Sequence, residues 1–131
     1  MTTRLALVLV ACILAWPAQT MADLTAKWTC DDGGVYYLRQ LENAVYWYGE
    51  ENATHPRWSN VFVGRIRGQR ISGNWTDVPK GQTQGQGEMQ LAIQQNGNVL
   101  QAVKKTGGFG GSTWKRMGYQ PPAATIKEDC V

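Results

Sequence analysis

Residues 60–77, NVFVGRIRGQRISGNWTD, decide how this chain folds. In an extended chain Phe62, Gly64 and Ile66 face one way, and Val61, Val63, Arg65 and Arg67 face the other. Ile71, Gly73 and Trp75 alternate in the same manner with Ser72, Asn74 and Thr76. A period of two marks a strand with one buried face and one solvated face. Gly68-Gln69 turns the first run, Asn60 to Arg67, into the second, Arg70 to Asp77. Gly64 and Gly73 stand at strand centres, where glycine suits a tight bend or close packing beside a tryptophan ring.

The same grammar extends in both directions. Upstream, Lys27 to Cys30 reads as a first strand and Asp31-Asp32-Gly33-Gly34 as a turn. Val35 to Leu41 (VYYLRQL) and Ala44 to Glu50 (AVYWYGE) are strands joined through Glu42-Asn43. Glu51 to Ser59 is a polar loop holding His55, Pro56 and Trp58. Downstream, Val78 to Gly87 (VPKGQTQGQG) is a long flexible connection. Glu88 to Gln95 is a strand in which Met89, Leu91 and Ile93 alternate with Gln90, Ala92 and Gln94. Asn96-Gly97 predicts a type I′ turn into Asn98 to Lys105. Thr106 to Ser112 (TGGFGGS) is a glycine-rich loop, and Thr113 to Tyr119 is the last strand before Pro121-Pro122.

Helix signals are nearly absent after residue 22. About eight short strands in simple order describe an all-β, antiparallel up-and-down meander. An open sheet would leave two edges able to pair with other chains, and closure into a barrel removes them. An eight-stranded barrel has an interior just wide enough for side chains or one small ligand.

The amino terminus predicts export. Arg4 precedes the apolar run Leu5 to Trp16, Pro17 breaks it, and Thr20-Met21-Ala22 offers small residues for cleavage. Residues 1–22 are expected to be a cleavable signal peptide and residues 23–131 a single β-barrel domain. The run falls short of the ~20 apolar residues that span a bilayer, and no later stretch is long enough, so no transmembrane segment is expected. Leu9-Val10-Ala11-Cys12 also has the look of a lipobox, which would make Cys12 a lipid anchor. Against it, the apolar run continues past Cys12 through Ile13, Leu14 and Trp16. The expected localisation is secreted or periplasmic. Once Cys12 leaves with the leader, Cys30 and Cys130 remain as an even pair in an oxidising compartment. A Cys30–Cys130 disulfide is predicted, contributing roughly 4 to 5 kcal/mol in the chain-entropy picture.

The charge balance is mild: 13 Lys and Arg against 10 Asp and Glu, a net +3 with no basic tail. No nucleic-acid partner is expected from it. His55 is the only histidine, with no second histidine or free cysteine near it, so no transition-metal site is expected. Asp-Asp-Gly-Gly lacks the spacing of a calcium loop. No serine or cysteine stands in a nucleophile elbow, and the glycine-rich loop opens no helix. No cofactor is expected and no catalytic residue is assigned. Glu50 and Asp77 are the carboxylates a small barrel cyclase or isomerase would use, with a raised pKa as its mark.

Aromatic richness points instead to binding. The chain has six tryptophans and five tyrosines. Trp28, Trp47, Trp58, Trp75 and Trp114 follow the leader, and Tyr36, Tyr37, Tyr46, Trp47 and Tyr48 crowd two adjacent strands. Strand alternation forces these rings onto both faces, and exposed rings stack on sugars, flat ligands or partners. Tyr37, Arg39, Tyr46, Trp47, Tyr48 and Trp58 are the candidate ligand-binding residues, with Gly107 to Gly111 as a rim. Arg39 sits mid-strand among aromatics and suits cation–π stacking. Arg65, Arg67 and Arg70 either hold an anionic group or form a solvated face. Trp28, Trp75, Trp114 and Arg116 are structural candidates. The expected function is a non-enzymatic binding protein for a small hydrophobic or aromatic ligand or a sugar. A protein-interaction module, such as an inhibitor or envelope component, is the alternative, and the small barrel cyclase or isomerase is a third.

A tryptophan early in the first strand, a meander of hairpins and Trp114-Lys115-Arg116 in the last strand resemble the calycin barrels: avidins, lipocalins and fatty-acid-binding proteins. The resemblance implies that Trp28 stacks against Arg116 and seals one barrel end. Ala26 stands where that family usually carries glycine. The strings YYLRQ, VYWYGE, NVFVGRIRG, ISGNW and DVPKG are also similar to a recurring group of small exported bacterial proteins, which brings no chemistry with it.

Overall fold

The computed structural model describes residues 23–123. The predicted signal peptide, its lipobox cysteine Cys12 and the predicted disulfide partner Cys130 lie outside the described residues. Eight strands follow one another: β1 (Ala26–Cys30), β2 (Val35–Leu41), β3 (Ala44–Glu50), β4 (Ser59–Arg67), β5 (Arg70–Asp77), β6 (Gln86–Gln94), β7 (Val99–Lys105) and β8 (Thr113–Arg116). Each pairs antiparallel with the next and β8 pairs with β1, so the meander closes into a barrel. No helix among the described residues is long and apolar enough to cross a membrane.

The alternation sorts side chains as a closed sheet requires. Phe62, Ile66, Ile71, Trp75, Met89 and Leu91 are buried, while Val63, Arg65, Ser72, Asn74 and Gln90 are exposed. Trp28, Tyr36, Trp47 and Trp114 complete the filling, all at most 3% exposed. A barrel of this circumference holds so many large rings only where neighbours are small. A Cβ on Gly49 would drive into the ring of Tyr36, its cross-strand partner. Gly64 and Gly73 face each other across β4 and β5, and the two backbones close on one another there. One extra residue in β7, Val103, bulges outward between the Gln90–Lys104 and Leu91–Ala102 pairs and bends the wall.

The two ends differ. At one end the connections are tight, and Leu24 tucks in at 1% exposed. The Arg116 guanidinium lies 5.1 Å from the Trp28 ring, and that indole donates to the Leu24 carbonyl at 3.0 Å. The opposite end carries the connections 31–34, 51–58, 78–85 and 106–112, the last three longer than any at the first end.

Three local expectations are corrected. Asn96-Gly97 is not a two-residue type I′ turn: β6 stops at Gln94, and Gln95–Gly97 form one 3₁₀ turn. Gln95 and Asn96 take positive φ, 51° and 55°. Arg116 imposes this, because its backbone donates to the Asn98 carbonyl and its guanidinium to the Gly97 carbonyl, drawing the turn onto the barrel end. The last strand ends at Arg116 rather than Tyr119, since Gly118 at φ 85° turns the chain and the Tyr119 amide returns to the Arg116 carbonyl. The sixth strand begins earlier, at Gln86, because the Trp75–Gly87 and Thr76–Gln86 pairs extend the β5–β6 ladder.

Candidate functional site

The end with the longer loops holds a pocket of about 390 Å³. Trp58, Trp75 and Phe109 supply its aromatic lining, and Asp32, Asn60 and Asp77 its polar groups. A second depression of about 330 Å³ lies on the outer wall between β5, β6 and β7, and no aromatic ring lines it.

Each part of the mouth has a local cause. Phe109 is the only large side chain in TGGFGGS, and the loop folds inward to bury it to 8% exposed. Its ring meets Trp75 at 4.9 Å and Trp114 at 5.9 Å. Gly107 permits the entry: it takes φ 81°, and a Cβ there would meet the Trp75 ring. Trp75 is fixed by its indole N–H, which donates to the Thr106 carbonyl at 3.0 Å. Trp58 lies over Gly34, where any side chain would strike its ring, and reaches Tyr36 at 6.0 Å.

Beneath the mouth the rings are continuous. Trp47 stacks on Phe62 at 4.3 Å and meets Trp114 at 5.2 Å and Tyr36 at 5.4 Å. The Trp47 indole donates to Asn60 Oδ1 at 2.9 Å, which ties the aromatic core to a pocket residue. The Trp114 indole N–H is fully buried and has no acceptor among the described residues.

The carboxylates fall into distinct roles. Asp32 accepts from the Gly34 amide at 2.8 Å and from the Tyr36 hydroxyl at 2.5 Å. Asp77 accepts from the Gly85 amide at 2.8 Å. Asp31 accepts from the Ser112 and Thr113 amides and the Cys30 thiol, joining the first turn to the last loop. Burial pushes the Asp31 carboxyl up, but those donors and Lys105 outweigh it and hold it below the ordinary range. Burial pushes the Cys30 thiol up, which suppresses the reactive thiolate. No disulfide forms among the described residues, and Cys30 is a buried thiol there.

Glu50 points to the outer wall, where its carboxylate meets Lys80 Nζ at 2.6 Å and the Tyr48 hydroxyl at 3.0 Å. The Lys80 hydrogen bond dominates, ahead of the opposing effect of burial, and holds Glu50 below its ordinary 4.5. That is the reverse of what a proton-abstracting carboxylate needs, so Glu50 serves as an anchor. The connection 78–85 is predicted flexible from its composition, yet it is bolted down. Ser59 Oγ donates to the Val78 carbonyl at 2.6 Å and accepts from the Gly81 amide, and the Arg57 carbonyl accepts from Gln82 and Thr83.

This anchoring depends on pH. A depressed carboxylate stabilises the fold above its unfolded value, and the effect is lost as pH falls through the folded value. Lys80 is raised above 10.5 by the same bond, so its contribution is present below that and lost as pH rises through the raised value. The Tm advantage of the protein over a Glu50→Gln variant is therefore expected at neutral pH, should begin to fade as pH falls below the ordinary 4.5, and should be gone once pH is below the depressed folded value. An advantage that persists in acid assigns the anchoring to other contacts.

The six candidate ligand residues do not converge. Tyr37, Arg39, Tyr46 and Tyr48 lie on the outer wall, Trp47 is in the core, and Trp58 alone lines the mouth pocket. Gly107, Gly108 and Gly110 do line the mouth. Arg65, Arg67 and Arg70 are exposed. Sequence reasoning includes Phe109 only within the Gly107 to Gly111 rim, without singling out its ring, and misses Asp32 and Asn60. A lone aromatic among four flanking glycines is the available signal for Phe109; Asp32 reads as turn chemistry, and nothing local marks Asn60.

Comparison of the chain with protein-family models, with curated proteins and with solved structures finds no match.

Proposed function

We propose that this chain is an exported, non-enzymatic binding protein of calycin-like architecture that takes a small ligand at the open mouth of its barrel. The observation that carries the reading is the mouth pocket of about 390 Å³, within the usual size range of small-molecule sites and lined by three aromatic residues beside fixed polar groups. The barrel interior is filled by side chains, so the ligand sits above the aromatic column. Arg116 over Trp28 supports the calycin-like assignment.

Trp58 and Trp75 line the pocket, so a bound ligand changes their fluorescence. Titration with small aromatic compounds, sugars and short-chain lipids is expected to give a saturable change with at least one class. Trp58→Ala should weaken that binding by about tenfold or more, in line with the loss of one stacked ring. Unaltered emission across the whole panel would remove the reading.

A second reading, a protein-interaction module, draws on the outer wall. Tyr37 and Tyr48 stack there at 6.5 Å and 20° between planes, with Tyr46 at 43% exposed opposite Arg39 and Val63. Tyrosine and arginine are the residues that interfaces favour.

A further inference from the structure

We propose that the ligand of the mouth pocket is a small organic cation, a primary amine or quaternary ammonium on a compact apolar body. This deepens the reading of the mouth as a ligand site and rests on it. Three aromatic residues, Trp58, Trp75 and Phe109, line the pocket together with two carboxylates, Asp32 and Asp77, and no lysine, arginine or histidine does. Aromatic faces carry negative potential and attract cations, most strongly where water is excluded. Carboxylates at the same site add to that attraction and oppose an anion.

The lysines and the arginine around the mouth are committed elsewhere. Arg57 pairs with Glu51, and Lys80 pairs with Glu50. Lys105 donates to the Gly111 carbonyl and to Ser112 Oγ, each at 2.9 Å. Among the described residues none of these cations lines the pocket to neutralise Asp32 and Asp77, and His55, in the same 51–58 loop, does not line it either. The chain as a whole carries +3, so the acidic mouth runs against the general charge of the molecule.

The two carboxylates are also held in advance. Tyr36 and the Gly34 amide fix Asp32, and the Gly85 amide fixes Asp77 through Oδ2. Asp77 Oδ1 has no hydrogen-bond partner among the described residues, which leaves an acceptor for an ammonium. A preorganised acceptor site with aromatic residues selects for positive charge.

The test compares isosteres by tryptophan fluorescence and calorimetry on the protein without its leader. Benzylammonium is set against benzyl alcohol and benzoate, and choline against 3,3-dimethylbutan-1-ol. The cations are expected to bind about tenfold or more tighter than their neutral partners, with benzoate weakest. Raising the salt concentration should weaken the cations and leave the alcohols unchanged. Asp77→Asn and Asp32→Asn keep the acceptor each backbone amide uses, and each should cost the cations about tenfold while sparing the alcohols. If an alcohol or benzoate binds as tightly as its cationic isostere, the cation assignment is overturned and the mouth reading stands. If these probes and the wider ligand panel all leave the protein unchanged, both fall. Should a variant fail to fold, the isostere series and its salt dependence on the unaltered protein decide the matter alone.

Discussion

Trp47→Ala is expected to cost about 3–5 kcal/mol of folding stability, the usual toll for emptying a buried ring. Trp47 is 3% exposed and touches Phe62, Trp114, Tyr36 and Phe109. No neighbour can collapse into the space without leaving its own. The substitution also strands Asn60 Oδ1, and an unpaired buried acceptor costs about 1–3 kcal/mol. A small domain has only about 5–15 kcal/mol in total, so the variant should be largely unfolded at moderate urea. Tyr46→Ala, one residue away but 43% exposed on the outer wall, should change stability by less than about 1 kcal/mol. Urea denaturation of the pair measures the contrast. Similar losses at both positions would contradict the inward placement of Trp47.

Gly73→Ala is the second large effect, expected to cost about 2–3 kcal/mol, roughly 10–20 °C in Tm. A single methyl group is a small addition, but its position is occupied by backbone. A Cβ at Gly73 would lie 2.5 Å from the Gly64 Cα and on the Val63 carbonyl of the paired strand. A flexible side chain can step aside, whereas a strand in a closed barrel cannot shift without breaking its other ladder. Gly110→Ala serves as the control, since nothing lies within 4 Å of its added Cβ and its φ is not positive. Its Tm should match that of the unaltered protein. Equal melting of both variants would show that β4 and β5 have slack.

Both predictions start from features visible in the sequence. Glycine at the centre of two adjacent strands marks a close approach from the strand pattern alone. The alternation of Tyr46, Trp47 and Tyr48 requires one ring on the opposite face from the other two. The candidate site is less legible. Trp58 stands out for its ring in a polar loop, but Tyr37, Tyr46 and Tyr48 stand out by density alone, and density does not say which side of the wall is concave. Glu50 has the residue type of an acid or base, yet Lys80, 30 positions away, neutralises it.

Period-two patterning, turn chemistry and the need to hide sheet edges are local or additive properties, and they determined the strand number, the order and the closure. Only the tertiary structure decided that the barrel is filled, that the loops beginning near residues 31, 51 and 78 meet the glycine-rich rim at one mouth, and that Phe109 enters it. Those outcomes depend on ring volumes summed across all eight strands, and on loops distant in sequence meeting at one rim. A pattern read along the chain measures which way a side chain points, but the space available there is set by what the opposite wall contributes.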